Sequence, residues 1–117
     1  MTDTFKQEHT DASVCAAAAA TQFFNETLNG QDRPMCGFGW VAFFPANKGN
    51  TKLGKAERKL VESVGFRKDY NGKSWRLSNP GRYRGQNVDA QYAGATAYAA
   101  YMKKETGMSF VACERLD

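Results

Sequence analysis

The side chains best suited to chemistry lie between Lys73 and Asn87, in the run K-S-W-R-L-S-N-P-G-R-Y-R-G-Q-N. Arg82 and Arg84 carry fork-shaped donors that match a phosphate, and Tyr83 between them offers a face on which a base can stack. Gln86 and Asn87 follow at what reads as a helix start. Backbone N–H groups there point outward unpaired, and the helix dipole favours negative charge. Lys73 and Arg76 sit on the strand that feeds the loop, and Arg67 lies across a hairpin from it. These eight residues are the candidate binding set, and the ligand they imply is anionic and flat. The plainer reading is a solvated loop in which Asn87 only caps a helix. Lys68 extends the same positive surface. Lys52, Lys55, Arg58 and Lys59 read as the solvated face of a helix.

Catalytic and metal chemistry find little to work with. His9 is the only histidine and lies in the acidic N-terminal segment, outside the core pattern, where a Cys-His or Ser-His-Asp machine would have to recruit it. No His, Cys and acid cluster has metal spacing, and no phosphate-cradling glycine motif occurs. Asp69, Asp89 and Glu114 have no spacing that demands a shared site. The expectation is a non-enzymatic protein without metal or cofactor.

Charge is divided along the chain. Residues 1–32 hold five acids and one base, a net −4, whereas residues 33–117 hold fifteen bases and seven acids, a net +8. A basic field of that kind raises encounter rates with nucleotides, nucleic acid or an acidic protein face. The 117 residues suit a single domain, with an acidic N-terminal helix over 1–32 and a basic α+β core over 35–117. No run approaches the roughly 20 apolar residues of a membrane span. The apolar stretch Val14–Ala20 lacks a basic lead-in, which argues against a secretory leader. Cys15, Cys36 and Cys113 form an odd set, expected to be free, buried thiols in a reducing compartment.

The elements that must position these residues follow from periodicity. Residues 10–30 predict a helix whose buried stripe is Val14, Ala17, Thr21, Phe24 and Leu28, stopped at Gly30. Residues 1–9 fray or extend it from a Thr4 cap with Gln7 completing a capping box. Residues 31–34 read as a linker. A central strand is predicted over 35–44. A helix opened by Asn50 or Thr51 presents Leu53, Ala56, Leu60, Val61 and Val64 and closes at Gly65. Two strands, 66–70 and 73–78, flank Asn71-Gly72, the signal for a tight type I′ hairpin with both residues at positive φ. A long helix with Val88, Tyr92, Ala95, Ala99 and Met102 inward runs to Gly107, and a last strand covers 108–114.

After the extra helix the order is β-α-β-β-α-β, the split or ferredoxin-like pattern, with helices on one face of a four-stranded antiparallel sheet. Alternation sets Phe38 and Trp40 against Val41 and Phe43, and Trp75 against Arg76, with Trp75 the buried one. The face opposite the helices is expected to carry Phe38, Trp40 and Trp75 and to need a cover. The N-terminal helix or a second subunit supplies it, and a homodimer with that helix in the interface is expected.

Two resemblances add to this. M-C-G-F-G-W-V, G-F-R-K-D-Y, the Gln/Asn before the last helix, A-x-A-Y-A and the closing A-C-E-R-L-D resemble a family of small bacteriophage proteins over about residues 35–117. Gly39 stands where that family carries Ala, and Cys113-Glu114 replaces polar residues before Arg115. The resemblance implies viral origin, action in host cytoplasm and a role in binding, with no catalytic residue to carry over. Separately, G-F-G-W-V-A-F at 37–43 looks like the aromatic strand of RNA-recognition domains, with Cys36 where Lys or Arg is expected and on the first strand rather than the third. The function expected is capture of an anionic, base-containing ligand, either a nucleotide messenger of host defence or nucleic acid. The alternatives are an inhibitor docking on an acidic host protein, an RNA-binding module, or an assembly accessory.

Overall fold

The computed structural model describes residues 2–32 and 35–116, so part of the expected 31–34 linker (residues 33 and 34) lies outside the described residues. The elements are α1 (Thr2–Glu26), β1 (Gly37–Phe44), α2 (Lys52–Glu62), β2 (Arg67–Lys68), β3 (Trp75–Ser78), α3 (Val88–Thr106) and β4 (Ser109–Leu116). The four strands form one antiparallel sheet in the order β2-β3-β1-β4, with β1 and β3 inside. Local chemistry sets several ends. Thr51 caps α2 by accepting from the Gly54 N–H at 3.0 Å, and Asn87 caps α3 through the Ala90 N–H at 3.0 Å. Gly107 ends α3 at φ 72°, a conformation glycine adopts without a Cβ penalty. No described helix is long and apolar enough to cross a membrane.

The core forms between the sheet and the helices. Val41 and Phe43 of β1, Trp75 of β3 and Phe110 of β4 meet Val61 of α2, Phe66, and Ala95, Tyr98, Ala99 and Met102 of α3. With α3 packed on β1, β4 and α1, its Tyr98 has no exposure. Glycines let α3 come close to β1. A Cβ on Gly39 would stand 2.7 Å from the Gln91 carbonyl carbon, and one on Gly37 would stand 2.9 Å from the Val88 side chain. The Gly39 N–H donates to Gln91 Oε1 at 2.9 Å, which satisfies a buried amide. The missing Cβ, not the hydrogen bond, is the physical reason for Gly rather than Ala at position 39.

Several expectations are corrected. The buried stripe of α1 is Phe5, Ala12, Ala16 and Ala20, while Val14 is exposed and Ala17 and Thr21 face solvent. The alanines win because they let α1 approach α3 closely, where a Val stripe would hold it off. The helix starts at Thr2 rather than Thr4, and Gln7 bonds Asp11 along the helix at 3.0 Å instead of capping. On α2, Leu53 and Ala56 are exposed, and on α3 Tyr92 is outward. The hairpin is wider than a type I′ turn, and only Gly72 takes a positive φ, 69°. Asn71 Oδ1 is an acceptor for the Lys73 and Ser74 N–H groups at 2.8 and 3.2 Å, so the turn is built on that side chain. Lys73 therefore lies in the turn, not on β3. Cys15 and Cys36 are free but exposed, and Cys113 is half-buried.

Trp75 and the open face also need correction. Trp75 is buried, on the helix side of the sheet, where its Nε1–H donates to Glu62 Oε2 at 2.8 Å. The N-terminal helix packs on α3 and leaves the opposite face uncovered, with Phe38, Phe44 and Val111 exposed there.

Candidate functional site

The segment 79–87 gets its shape from Asn79. Its backbone N–H donates to the Gly39 carbonyl at 2.8 Å, which ties the loop to β1. Its side chain closes the loop on itself, with Nδ2 donating to the Tyr83 carbonyl at 2.8 Å and Oδ1 accepting from the Tyr83 N–H at 3.2 Å. Asn79 and Arg82 both adopt left-handed backbone, φ 44° and 53°. That conformation is uncommon for an arginine, and here it is held by the Arg82 N–H bond to the Asn79 carbonyl at 3.0 Å. Small residues then seat the loop against the helices. A Cβ on Gly81 would stand 2.8 Å from the Ala16 carbonyl oxygen, and one on Gly94 would stand 3.2 Å from Gly81 itself.

This junction opens a cleft of about 520 Å³ between the C-terminal half of α1 and the loop, with Phe24, Asp32, Arg82, Tyr83 and Arg84 among its walls. Phe24 and Tyr83 stand 5.9 Å apart between ring centroids, inclined at 58°. Arg82 and Arg84 are exposed. Arg82 also borders a second depression shared with His9. Burial and, less so, the Arg82 charge hold the His9 imidazole below its ordinary pKa. His9 Nδ1 meets the Tyr98 hydroxyl at 2.7 Å. Burial raises the Tyr98 pKa, which keeps it protonated.

The start of α3 already holds an anion, the Asp32 carboxylate. Asp32 Oδ1 accepts from the Tyr83 hydroxyl at 2.5 Å and from the Asn87 N–H at 3.3 Å, and Oδ2 accepts from the Gln86 N–H at 3.1 Å. These bonds, Tyr83 first, lower the Asp32 pKa. Burial, then Asp32, pushes the Tyr83 hydroxyl up to about 12. Gly85 makes room, since a Cβ there would fall against Asp32 and within 2.7 Å of the Tyr83 ring. The preceding segment is zipped to the strand as well: Val88 N–H to the Met35 carbonyl at 2.9 Å and Gly37 N–H to the Gln86 carbonyl at 3.2 Å. Cys36 Sγ–H donates to Gln86 Oε1 at 3.2 Å.

The eight expected residues therefore fall in four places. Arg82, Tyr83 and Arg84 line the cleft. Gln86 and Asn87 make the contacts that anchor the start of α3, Asn87 as a buried cap. Arg67 and Arg76 lie beside a groove on the uncovered sheet face, and Lys73 stands apart, exposed at the hairpin. Sequence reasoning missed Asp32, 51 residues from the tyrosine it engages, and Phe24 as a cleft wall. The periodicity that marked Phe24 assigned it to a core stripe, and no local signal marks Asp32. No group of three or more potential metal ligands comes together among the described residues.

The fold and the cleft define a small α+β domain with two arginines and two aromatic rings around one opening. Compared with protein-family models, curated proteins and solved structures, the chain matches none of them.

Proposed function

We propose that the protein is a non-enzymatic binder of an anionic ligand that carries a base, a nucleotide being the size that suits the cleft. One observation carries this reading: two exposed guanidinium groups and two aromatic rings converge on an opening of about 520 Å³, within the range of small-molecule sites. Arg82 and Arg84 are the phosphate partners, since the Gln86 and Asn87 N–H groups just ahead of α3 are engaged by Asp32, Val88 N–H by the Met35 carbonyl and Ala90 N–H by the Asn87 side chain. The ring faces of Phe24 and Tyr83 take the base. The Asp32 carboxylate suits a ribose hydroxyl or a base amino group at the cleft edge.

The architecture is read as ferredoxin-like, supported by the β2-β3-β1-β4 order with helices between β1 and β2 and between β3 and β4. Viral origin, and a role in withdrawing a host nucleotide from use, rest on the resemblance of residues 35–117 alone.

The test is direct. Purified protein should show excess absorbance near 260 nm, and mass spectrometry of the denatured sample should identify a released nucleotide. Arg82→Ala and Arg84→Ala should each weaken its rebinding by about 1.5–3 kcal/mol with little change in melting temperature. Absence of any co-purified nucleotide, together with no calorimetric signal for adenosine or uridine monophosphate, would remove the reading.

A further inference from the structure

The sheet face opposite the helices carries a second arrangement of rings and cations, separate from the cleft. The strand register places its side chains in rows. Arg67 of β2, Arg76 of β3, Ala42 of β1 and Val111 of β4 form one row. Ser78, Trp40 and Cys113 form the next, and Phe38 with Arg115 the one after. Phe44 stands at the other end of β1, about 20 Å from Phe38 at the rise of a strand.

Two facts distinguish this face from an ordinary apolar surface. First, Arg67 and Arg76 are direct cross-strand partners, and like charges so placed oppose folding. Among the described residues the only ion pair is Arg58 with Glu57, so neither Arg67 nor Arg76 has a carboxylate of a described residue within 4.0 Å. Second, the Arg76 guanidinium lies over the Trp40 ring, 4.1 Å from its centroid, on the same face as Phe38 at 52 % exposure. A groove of about 610 Å³ joins Phe38, Arg67, Arg76 and Arg115 to the fully exposed ring of Tyr70.

We propose that this face binds single-stranded nucleic acid, with bases stacked on Phe38 and on the Arg76–Trp40 pair and phosphates on Arg67 and Arg115. The charge argues for a polyanion, because the groove sets Arg67, Lys68, Arg76 and Arg115 against the single carboxylate of Asp69, and an anionic strand offsets that excess. The exposed rings argue for unpaired bases, since a duplex hides its base faces. The length of the platform exceeds one nucleotide. The occupant is thus a strand, in contrast to the small ligand of the cleft, and either site can fail without the other.

The experiment is fluorescence anisotropy of the full chain with a labelled uridylate 12-mer, over a salt series, against a duplex of the same length. The single strand should bind more tightly than the duplex. Phe38→Ala should weaken it about tenfold, the scale of one lost stacking partner. Arg67→Ala and Arg115→Ala should each lower the slope of log K against log salt by about 0.7, one phosphate contact on a single strand. Lys55→Ala, which removes an exposed cation from α2, should change neither. If Phe38→Ala melts early, the two arginine variants carry the test through the slope. Equal affinity for the duplex, slopes unchanged in both arginine variants, or no binding to the 12-mer would overturn the proposal. So would a dimer that light scattering shows to be broken by Phe38→Ala, because a second copy would then be the occupant.

Discussion

In the cleft, the chain supplies its own anion: Asp32 accepts from Tyr83 and from two backbone N–H groups at the start of α3. Across the sheet, Arg67 and Arg76 face each other without a carboxylate partner among the described residues. Both regions are basic and aromatic in sequence, and they differ in what is left over after folding. At the helix start the donors are already engaged, so a ligand there must rely on the Arg82 and Arg84 side chains. On the sheet face the cations are held by strand geometry and stay available. A basic aromatic pattern therefore measures potential, and tertiary hydrogen bonding decides how much of it remains free.

Four variants break or sharpen this contrast. The largest effect is expected from Gly81→Val, since its Cβ would stand 2.8 Å from the Ala16 carbonyl oxygen. Overpacking the α1–loop–α3 junction should cost about 3 kcal/mol in urea unfolding. If oligonucleotide binding at the sheet face survives in the folded fraction while the cleft is lost, the two regions are separable. Gly72→Val acts on the other side. It forces a β-branched residue to φ near 69° in the hairpin that sets the Arg67–Arg76 register, at about 1–2 kcal/mol. A melting temperature equal to that of the unmodified protein would show that the turn tolerates side chains.

Asn87→Ala removes the α3 cap and should cost about 1 kcal/mol, measured by chemical denaturation. It should disturb the cleft edge and leave the sheet groove alone. The smallest effect on stability, and the sharpest on the cleft, comes from Asp32→Asn. Asp32 has a depressed pKa, so its carboxylate contacts persist above the ordinary aspartate range and are lost only as pH falls through that lowered value. With the carboxylate gone, the Tyr83 hydroxyl should ionise below its present value of about 12, closer to the ordinary 10.0. Ultraviolet titration near 295 nm reads this directly. An unchanged titration curve would mean that burial alone holds Tyr83 and that Asp32 does not control the cleft.

Much of the framework was legible because it is local. Asn50 or Thr51 marked the start of α2 and the cap proved to be Thr51, Asn87 and Gly107 marked the ends of α3, and alternation along β1 separated Phe38 and Trp40 from Val41 and Phe43. Those signals act within four residues, where hydrogen-bond geometry and strand pleat leave few choices. The buried stripe of α1 was not legible. Val14 is more apolar than Ala16, yet distance of approach to Gly81 and Gly94 selected the alanines, and that distance exists only once α3 and the loop are in place. The hairpin failed for a related reason: Asn71 used its side chain, not its backbone, to make the turn.

The sequence by itself determined the element order, the basic loop with its two arginines, and the alternation that sends rings to opposite faces. Tertiary structure alone decided that Asp32 occupies the helix start, that α1 stacks on α3 and leaves the sheet face bare, and that the eight candidate residues divide among four places. The physical reason is range. Caps, turns and alternation are set by neighbours in the chain, whereas the partner of a charge and the cover of a face are set by residues dozens of positions away, brought near only by packing.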